Sequence, residues 1–302
     1  MAVMGLGLAA LGRPGYLTVG HGAAIGPDRS VEAVEQRCHQ VCDAAWDGGV
    51  RWFDAARSYG RAEQFLADWL AVRAIEPGVA TVSSKWGYTY TAGWRVDADV
   101  QEVKDHSLSA LARQWPETEA LLGPWLGLYQ VHSVTPESSL LDDVAVHRRL
   151  AGLGVPVGIS LSGPRQAEAL GRALSVTVDG RQLFCAVQAT WNVLETSVGP
   201  ALSEAKAAGW TVIVKEALAN GRLVGPGSAI ATVAAHPEAA ALATALAQPW
   251  VDVVLSGATT VEQLRSNLTS WRDVEPLDDD RLTEVTLGPE RYWSERAALP
   301  WT

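Results

Sequence analysis

Four polar side chains stand where apolar runs end, and their types suit one chemistry. Asp54 closes the run Arg51-Trp52-Phe53, and Tyr59 follows five residues later. Lys85 closes Thr81-Val82-Ser83-Ser84, and His132 closes the run from Trp125 to Val131. An aspartate at the end of an apolar strand is costly unless paired, and a lysine at the next strand end can pair with it. The two bracket the tyrosine. A nearby ammonium stabilises phenolate, so the spacing predicts a Tyr59 pKa below the usual value of about 10. Such a tyrosine can act as general acid at neutral pH. A histidine at the following strand end can donate to a carbonyl oxygen and position it. The set suits protonation of an oxygen while hydride arrives at carbon. Taken singly, each residue also has a structural reading: an ion pair, a packed loop tyrosine, a satisfied interior histidine. Their joint placement at successive strand ends carries the functional one.

These residues need a frame of strands separated by helices. Strand candidates are Arg51–Ala55, Thr81–Trp86, Trp125–His132, Val155–Leu161, Leu183–Gln188, Thr211–Val214 and Val251–Leu255, with a first strand near Gly5–Leu11. Several are near-continuous apolar runs, as expected of parallel strands covered on both faces. Val34, Cys38, Val41, Cys42 and Ala45 form one helical stripe between them. Further helix candidates are Ala62–Val72, Val100–Arg113, Leu140–Gly152, Arg165–Leu174, Pro200–Gly209 and Val261–Thr269. Eight strand candidates alternating with helices predict an α/β fold, a single (β/α)₈ TIM barrel over residues 1–302. A doubly wound sheet would need G-x-G-x-x-G opening a helix. The early GLGLAALG has other spacing, and no amphipathic helix follows at once.

A net charge of −10 argues against non-specific nucleic-acid binding. No apolar run is long enough to span a bilayer, and the N-terminus lacks the pattern of a signal peptide. Three cysteines make no disulfide framework, so the expected setting is a reducing cytoplasm. Cys38, His39 and Cys42 lack two further ligands at metal spacing, and both thiols lie on the apolar stripe, so no metal site is expected. The sequence sets no oligomeric state.

Phe53–Gly60, FDAARSYG, resembles the signature of the aldo-keto reductase family, in which tyrosine follows aspartate by five residues. SSKWG and LYQVHS carry the lysine and histidine of that family's tetrad, matched here by Asp54, Tyr59, Lys85 and His132. The resemblance continues through GISLS, VQATWNVLE, ALANGRL and LSGATTVEQLRSNL, which is most of the chain.

The resemblance implies reduction of a small-molecule aldehyde or ketone by NAD(P)H bound across the barrel top. NADPH is the expected cofactor, with NADH possible. Ser160 and Gln188 match the residues that hold the nicotinamide carboxamide, although Leu161 stands where the family usually has a polar residue. Lys215–Arg222, with Leu218, Ala219, Gly221 and Arg222, resembles the pyrophosphate loop. Lys215 replaces the aromatic residue that commonly stacks on nicotinamide. Ser256, Thr259, Gln263 and Asn267 match the adenosine end, where Thr260 and Gln263 form a capping box. No cation stands in Ser256–Thr260, so Arg222 is the residue expected to reach a 2′-phosphate. Trp86 and Trp191 flank matched motifs and are expected to line the substrate pocket. The alternative reading is a regulatory subunit with the same fold that binds nucleotide with little turnover. A metal-dependent hydrolase would need several ligands at strand ends, where only His132 stands among six histidines.

Overall fold

Apolar runs become the staves of a closed barrel in the computed structural model, which describes residues 2–225 and 227–302. In chain order the strands are β1 (Val3–Gly7), β2 (Trp52–Asp54), β3 (Thr81–Trp86), β4 (Tyr88–Tyr90), β5 (Glu102–Lys104), β6 (Leu126–Val134), β7 (Val157–Leu161), β8 (Thr177–Val178), β9 (Arg181–Gln182), β10 (Ala186–Thr190), β11 (Thr211–Lys215) and β12 (Val253–Ser256). The helices are α1 (His21–Ile25), α2 (Val31–Asp47), α3 (Ala62–Val72), α4 (Leu108–Leu122), α5 (Val144–Ala151), α6 (Gln166–Leu174), α7 (Gly199–Ala207), α8 (Pro237–Leu246), α9 (Val261–Thr269), α10 (Asp279–Val285) and α11 (Pro289–Ala297).

Eight parallel strands close the ring in chain order, β1-β2-β3-β6-β7-β10-β11-β12, and β12 pairs back to β1. The expected (β/α)₈ TIM barrel is therefore present. Leu128, Ala186, Ile213, Val253 and Leu255, with Trp52, come from strands spread around the ring, so they can meet only inside it. The larger core lies between strands and helices and takes in the α2 stripe Val34, Cys38, Val41, Cys42 and Ala45.

Two stretches differ from the sequence pattern. Val100–Arg113 is not one helix. Glu102–Lys104 pairs with Tyr88–Tyr90 as a hairpin, and helix begins only at Leu108, capped by Ser107. The hairpin projects over the barrel mouth, where backbone pairing outcompetes helical periodicity. Helix α8 carries no amphipathic stripe to read, because nearly all of its positions, from Pro237 through Ala245, are buried.

Candidate active site

Asp54 ends β2, Lys85 lies near the end of β3, and His132 lies on β6, so three neighbouring staves deliver three of the four expected residues to one rim. Tyr59 is held by a tight loop. Its N–H donates to Ala56 O at 3.0 Å, its carbonyl accepts from Ala62 N at 3.1 Å, and Arg57 N donates to Lys85 O at 3.0 Å. The loop after β1 presses against it so closely that only glycine fits. A Cβ on Gly12 would stand 2.3 Å from Tyr59 O, and one on Gly60, at φ 61°, would stand 2.3 Å from Gly12 O. Below the loop, the buried Glu63 carboxylate accepts from Ser84 Oγ at 2.5 Å, Thr118 Oγ1 at 2.9 Å and Arg57 Nη1 at 2.5 Å. Barrel, loop and α3 are thus joined by one satisfied polar network.

The buried Asp54 carboxylate gathers four donors. Ser83 Oγ donates at 2.7 Å, Gln188 Nε2 at 3.0 Å and Gln130 Nε2 at 3.3 Å, and Lys85 Nζ pairs with Oδ2. Lys85 also donates to Ala55 O at 2.9 Å. Its Nζ lies 4.8 Å from the Tyr59 ring centre without bonding to the hydroxyl. The Tyr59 hydroxyl instead lies 3.4 Å from His132 Nε2, and His132 Nδ1 lies 3.4 Å from Ser58 Oγ.

The expected fall in the Tyr59 pKa is corrected. Burial and the Asp54 carboxylate push it well above the ordinary value, and the Arg13 guanidinium opposes them only in part. The physical reason is that the Lys85 charge is spent on Asp54, while burial itself lowers the Lys85 pKa. Tyr59 therefore holds its proton at neutral pH. His132 is driven the other way. Burial, with Lys85, Lys215 and Arg13 nearby, puts its pKa well below the ordinary value, so the ring is neutral.

These groups open into a cavity of about 430 Å³ that runs outward from the barrel mouth. Asp54, Tyr59, His132 and Gln188 face its inner part; Lys85 is fully buried behind them. Lys215, Leu218 and Gly221 border its middle, and Ser256, Gln263 and Asn267 its outer end. A strap closes over the middle: Val19 N donates to Asn220 O at 2.9 Å, and a Cβ on Gly221 would stand 2.9 Å from Val19 O. Lys215 Nζ is 3.4 Å from Ser160 Oγ, and burial lowers its pKa to about 8. The capping box of α9 is formed, and Gln263 Oε1 accepts from Thr259 N at 2.9 Å. Asn267 Nδ2 donates to Ser256 Oγ at 2.9 Å.

Other expected residues stand elsewhere. Ser160, Ala219 and Thr259 are buried behind the lining. Arg222 turns away from the cavity: its Nη1 pairs with Glu295 at 3.1 Å and its guanidinium lies 4.3 Å over the Tyr292 ring. Trp86 and Trp191 are also corrected. Trp86 is fully buried beside His106, and Trp191 packs edge-on against Trp250 at 5.6 Å. An indole within a barrel strand or just past it is absorbed by the helix layer.

The aromatic walls come instead from Tyr16, Tyr88 and Trp301, which sit on loops and the hairpin. Arg13 joins them, 4.7 Å over Tyr16, 4.8 Å over Trp301 and 5.1 Å over Tyr59. Sequence reasoning missed this guanidinium, although a cation in the Gly-Pro loop after β1 was a usable signal. Glu216, with φ 58°, accepts a forked pair of bonds from Arg296, which outweighs burial and keeps its pKa low. Nothing in the sequence links those two positions.

The cavity suits an extended dinucleotide. It is long, its inner end holds a proton donor, and amide and hydroxyl groups are spaced along it. Asn220 lines it with a buried Oδ1 that lacks a hydrogen-bond partner, as a ligand-facing group would.

Comparison with known proteins agrees with this geometry. The sequence model of the aldo/keto reductase family matches residues 4–233. The curated pyridoxal 4-dehydrogenase of Microbacterium luteolum is 29% identical, over 41% of this chain and 42% of that protein. The match thus spans less than half the length of that relative. The holo form of an aldo-keto reductase from Bacillus halodurans superposes with a TM-score of 0.66 at 18% identity, covering 97% of this chain and 91% of that one. A structure from Pseudomonas aeruginosa gives 0.62 at 20% identity, covering 89% of each chain. At these identities the likeness of the solved structures is one of fold. The family match covers most of the chain, including the loop and strand ends that carry Asp54, Tyr59, Lys85 and His132, and so the chain belongs to the aldo/keto reductase family of oxidoreductases.

Proposed function

We propose that this chain is a nicotinamide-dependent carbonyl reductase with Tyr59 as its general acid. One observation carries the reading: the protonated Tyr59 hydroxyl lies 3.4 Å from His132 Nε2 at the inner end of the long cavity. A reduced nicotinamide, when bound, supplies the hydride that reaches the carbonyl carbon. Tyr59 Oη gives its proton to the carbonyl oxygen as charge develops there. Neutral His132 donates from Nε2 to the same oxygen and orients it, which requires the tautomer with its proton on that nitrogen. Lys85 and Asp54 hold the rim and set the field around the phenol. Gln188, which lines the cavity, would hold the carboxamide with Ser160 supporting it from behind, Leu218–Gly221 would hold the pyrophosphate, and Gln263 and Asn267 the adenosine. The family expectation of NADPH loses its expected support, because Arg222 is paired elsewhere.

Aromatic walls suit an aromatic or aliphatic carbonyl compound. Pyridoxal, from the relative's name, belongs in the test panel. We place the protein in the cytoplasm, where Cys38, Cys42 and Cys185 would stay free, with residues 1–302 acting as one unit. Among the described residues no helix is long and apolar enough to cross a membrane.

The test is oxidation of NADPH and NADH by the purified chain against aldehydes, ketones, sugars and pyridoxal. Turnover that vanishes in Tyr59→Phe supports the reading. Tight dinucleotide binding with no turnover on any carbonyl overturns it in favour of a nucleotide-binding regulatory subunit.

A further inference from the structure

We propose that the cavity takes NADH in preference to NADPH, and that Glu238 enforces the choice. The inference rests on the reading of the cavity as a dinucleotide site. Tyr59 and His132 fix the reacting ring at the barrel mouth, so the adenosine must occupy the outer end. The question is what that end offers a 2′-phosphate, which brings about −1.5 to −2 charges at neutral pH.

Among the described residues the cations that line this cavity stand at its inner and middle parts. Arg13 lies over Tyr59, Lys215 reaches Ser160, and Arg296 is spent on Glu216. The outer end is bordered by Ser256, Gln263, Ser266 and Asn267 from β12 and α9. Among the described residues no lysine or arginine lines that end. Arg222 is held by Glu295 and Tyr292, and Arg265 is exposed on α9 outside the lining. Neutral amides and hydroxyls can donate to a phosphate but supply no cation to balance its charge.

Among the described residues that line this end, the one charged side chain has the wrong sign for phosphate. Glu238 sits in the first turn of α8 and lines the cavity with Leu242. Its Oε2 accepts one long bond, from Gly225 N at 3.4 Å, and among the described residues no cation lies within 4.0 Å of it. A free carboxylate accepts hydrogen bonds from a ribose diol and repels a phosphate, which is how other dinucleotide folds select the unphosphorylated cofactor.

Fluorescence titration of the full chain with NADH and NADPH tests this, with ADP-ribose and its 2′-phosphorylated form as probes free of the reacting ring. NADH and ADP-ribose should bind about tenfold tighter or more than their phosphorylated counterparts. Glu238→Gln should weaken NADH and strengthen NADPH, a crossing that general damage to the fold would not produce. Gln263→Arg, which supplies a cation at the outer end, should raise the affinity for NADPH relative to that for NADH. Tighter NADPH binding by the parent, or equal binding of the two, overturns the inference while leaving the dinucleotide reading intact. An unchanged ratio in Glu238→Gln overturns the role of Glu238. Failure of all four probes to bind overturns the dinucleotide reading and this inference with it.

Discussion

The two ends of the cavity are built differently. At the inner end most charges are paired. Lys85 meets Asp54, Arg57 meets Glu63, and Arg296 meets Glu216, all carried on strands, strand ends or helices locked against them. The outer end is bordered mostly by side chains of α8 and α9, one layer outside the barrel, and among the described residues its Glu238 carboxylate has no ion-pair partner. Strand ends of a closed barrel cannot move independently, so chemistry placed there stays in register. Helix faces tolerate substitution, so recognition placed there can change while the chemistry is kept.

Substitutions at the two ends should therefore differ in kind. Tyr59→Phe should leave dinucleotide affinity unchanged and lower kcat by roughly 10²–10⁴-fold, as expected for loss of a general acid. Stopped-flow reduction beside a binding titration checks it, and near-normal kcat would remove Tyr59 from the chemistry. Lys85→Met leaves the Asp54 carboxylate buried without its cation, a change worth about 3–5 kcal/mol of stability. Denaturant unfolding measures it, and a loss under about 1 kcal/mol would mean that Ser83, Gln130 and Gln188 suffice. Gly12→Ala forces a Cβ against Tyr59 O and displaces the loop. A misplacement of this kind lowers kcat by about 10²-fold with little change in dinucleotide affinity.

The pH dependence gives a gentler test of the inner end. In the proposed mechanism the phenol is the active form in reduction, and burial with Asp54 raises its pKa, so carbonyl reduction should stay level from neutral pH to beyond the ordinary tyrosine range. Alcohol oxidation needs the phenolate and should still be rising there. A reduction rate that falls between neutrality and pH 10 would mean that the bound cofactor restores the influence of Lys85 on the phenol. The smallest effect belongs to the outer end. Arg222→Ala should leave the affinities for NADH and NADPH both unchanged, because its partners are Glu295 and Tyr292. A selective loss of NADPH affinity would show that the side chain swings into the cavity on binding.

Much of the site was legible from type and spacing alone. Apolar runs ending in Asp54, Lys85 and His132 mark strand ends whatever else surrounds them, and a chain alternating strand and helix has few ways to close. The capping box at Thr260 and Gln263 is equally local and was read correctly. The hairpin Tyr88–Tyr90 with Glu102–Lys104 was not, because Glu102–Lys104 lies within Val100–Arg113, whose local periodicity looked helical, and its partner strand lies elsewhere in the chain.

What the sequence determined by itself was therefore the barrel and the order in which its strands carry Asp54, Lys85 and His132, because both follow from local patterns repeated along the chain. Only the tertiary structure decided the direction of the Tyr59 pKa, which depends on how deeply the phenol is buried and on which charge Lys85 spends its own. It also decided which aromatic rings wall the cavity, since Trp86 and Trp301 look alike in sequence and differ only in which layer encloses them. The fate of Arg222 was of the same kind: Glu295 lies far along the chain and a few ångströms away in space, and that nearness turns the cation from the cavity.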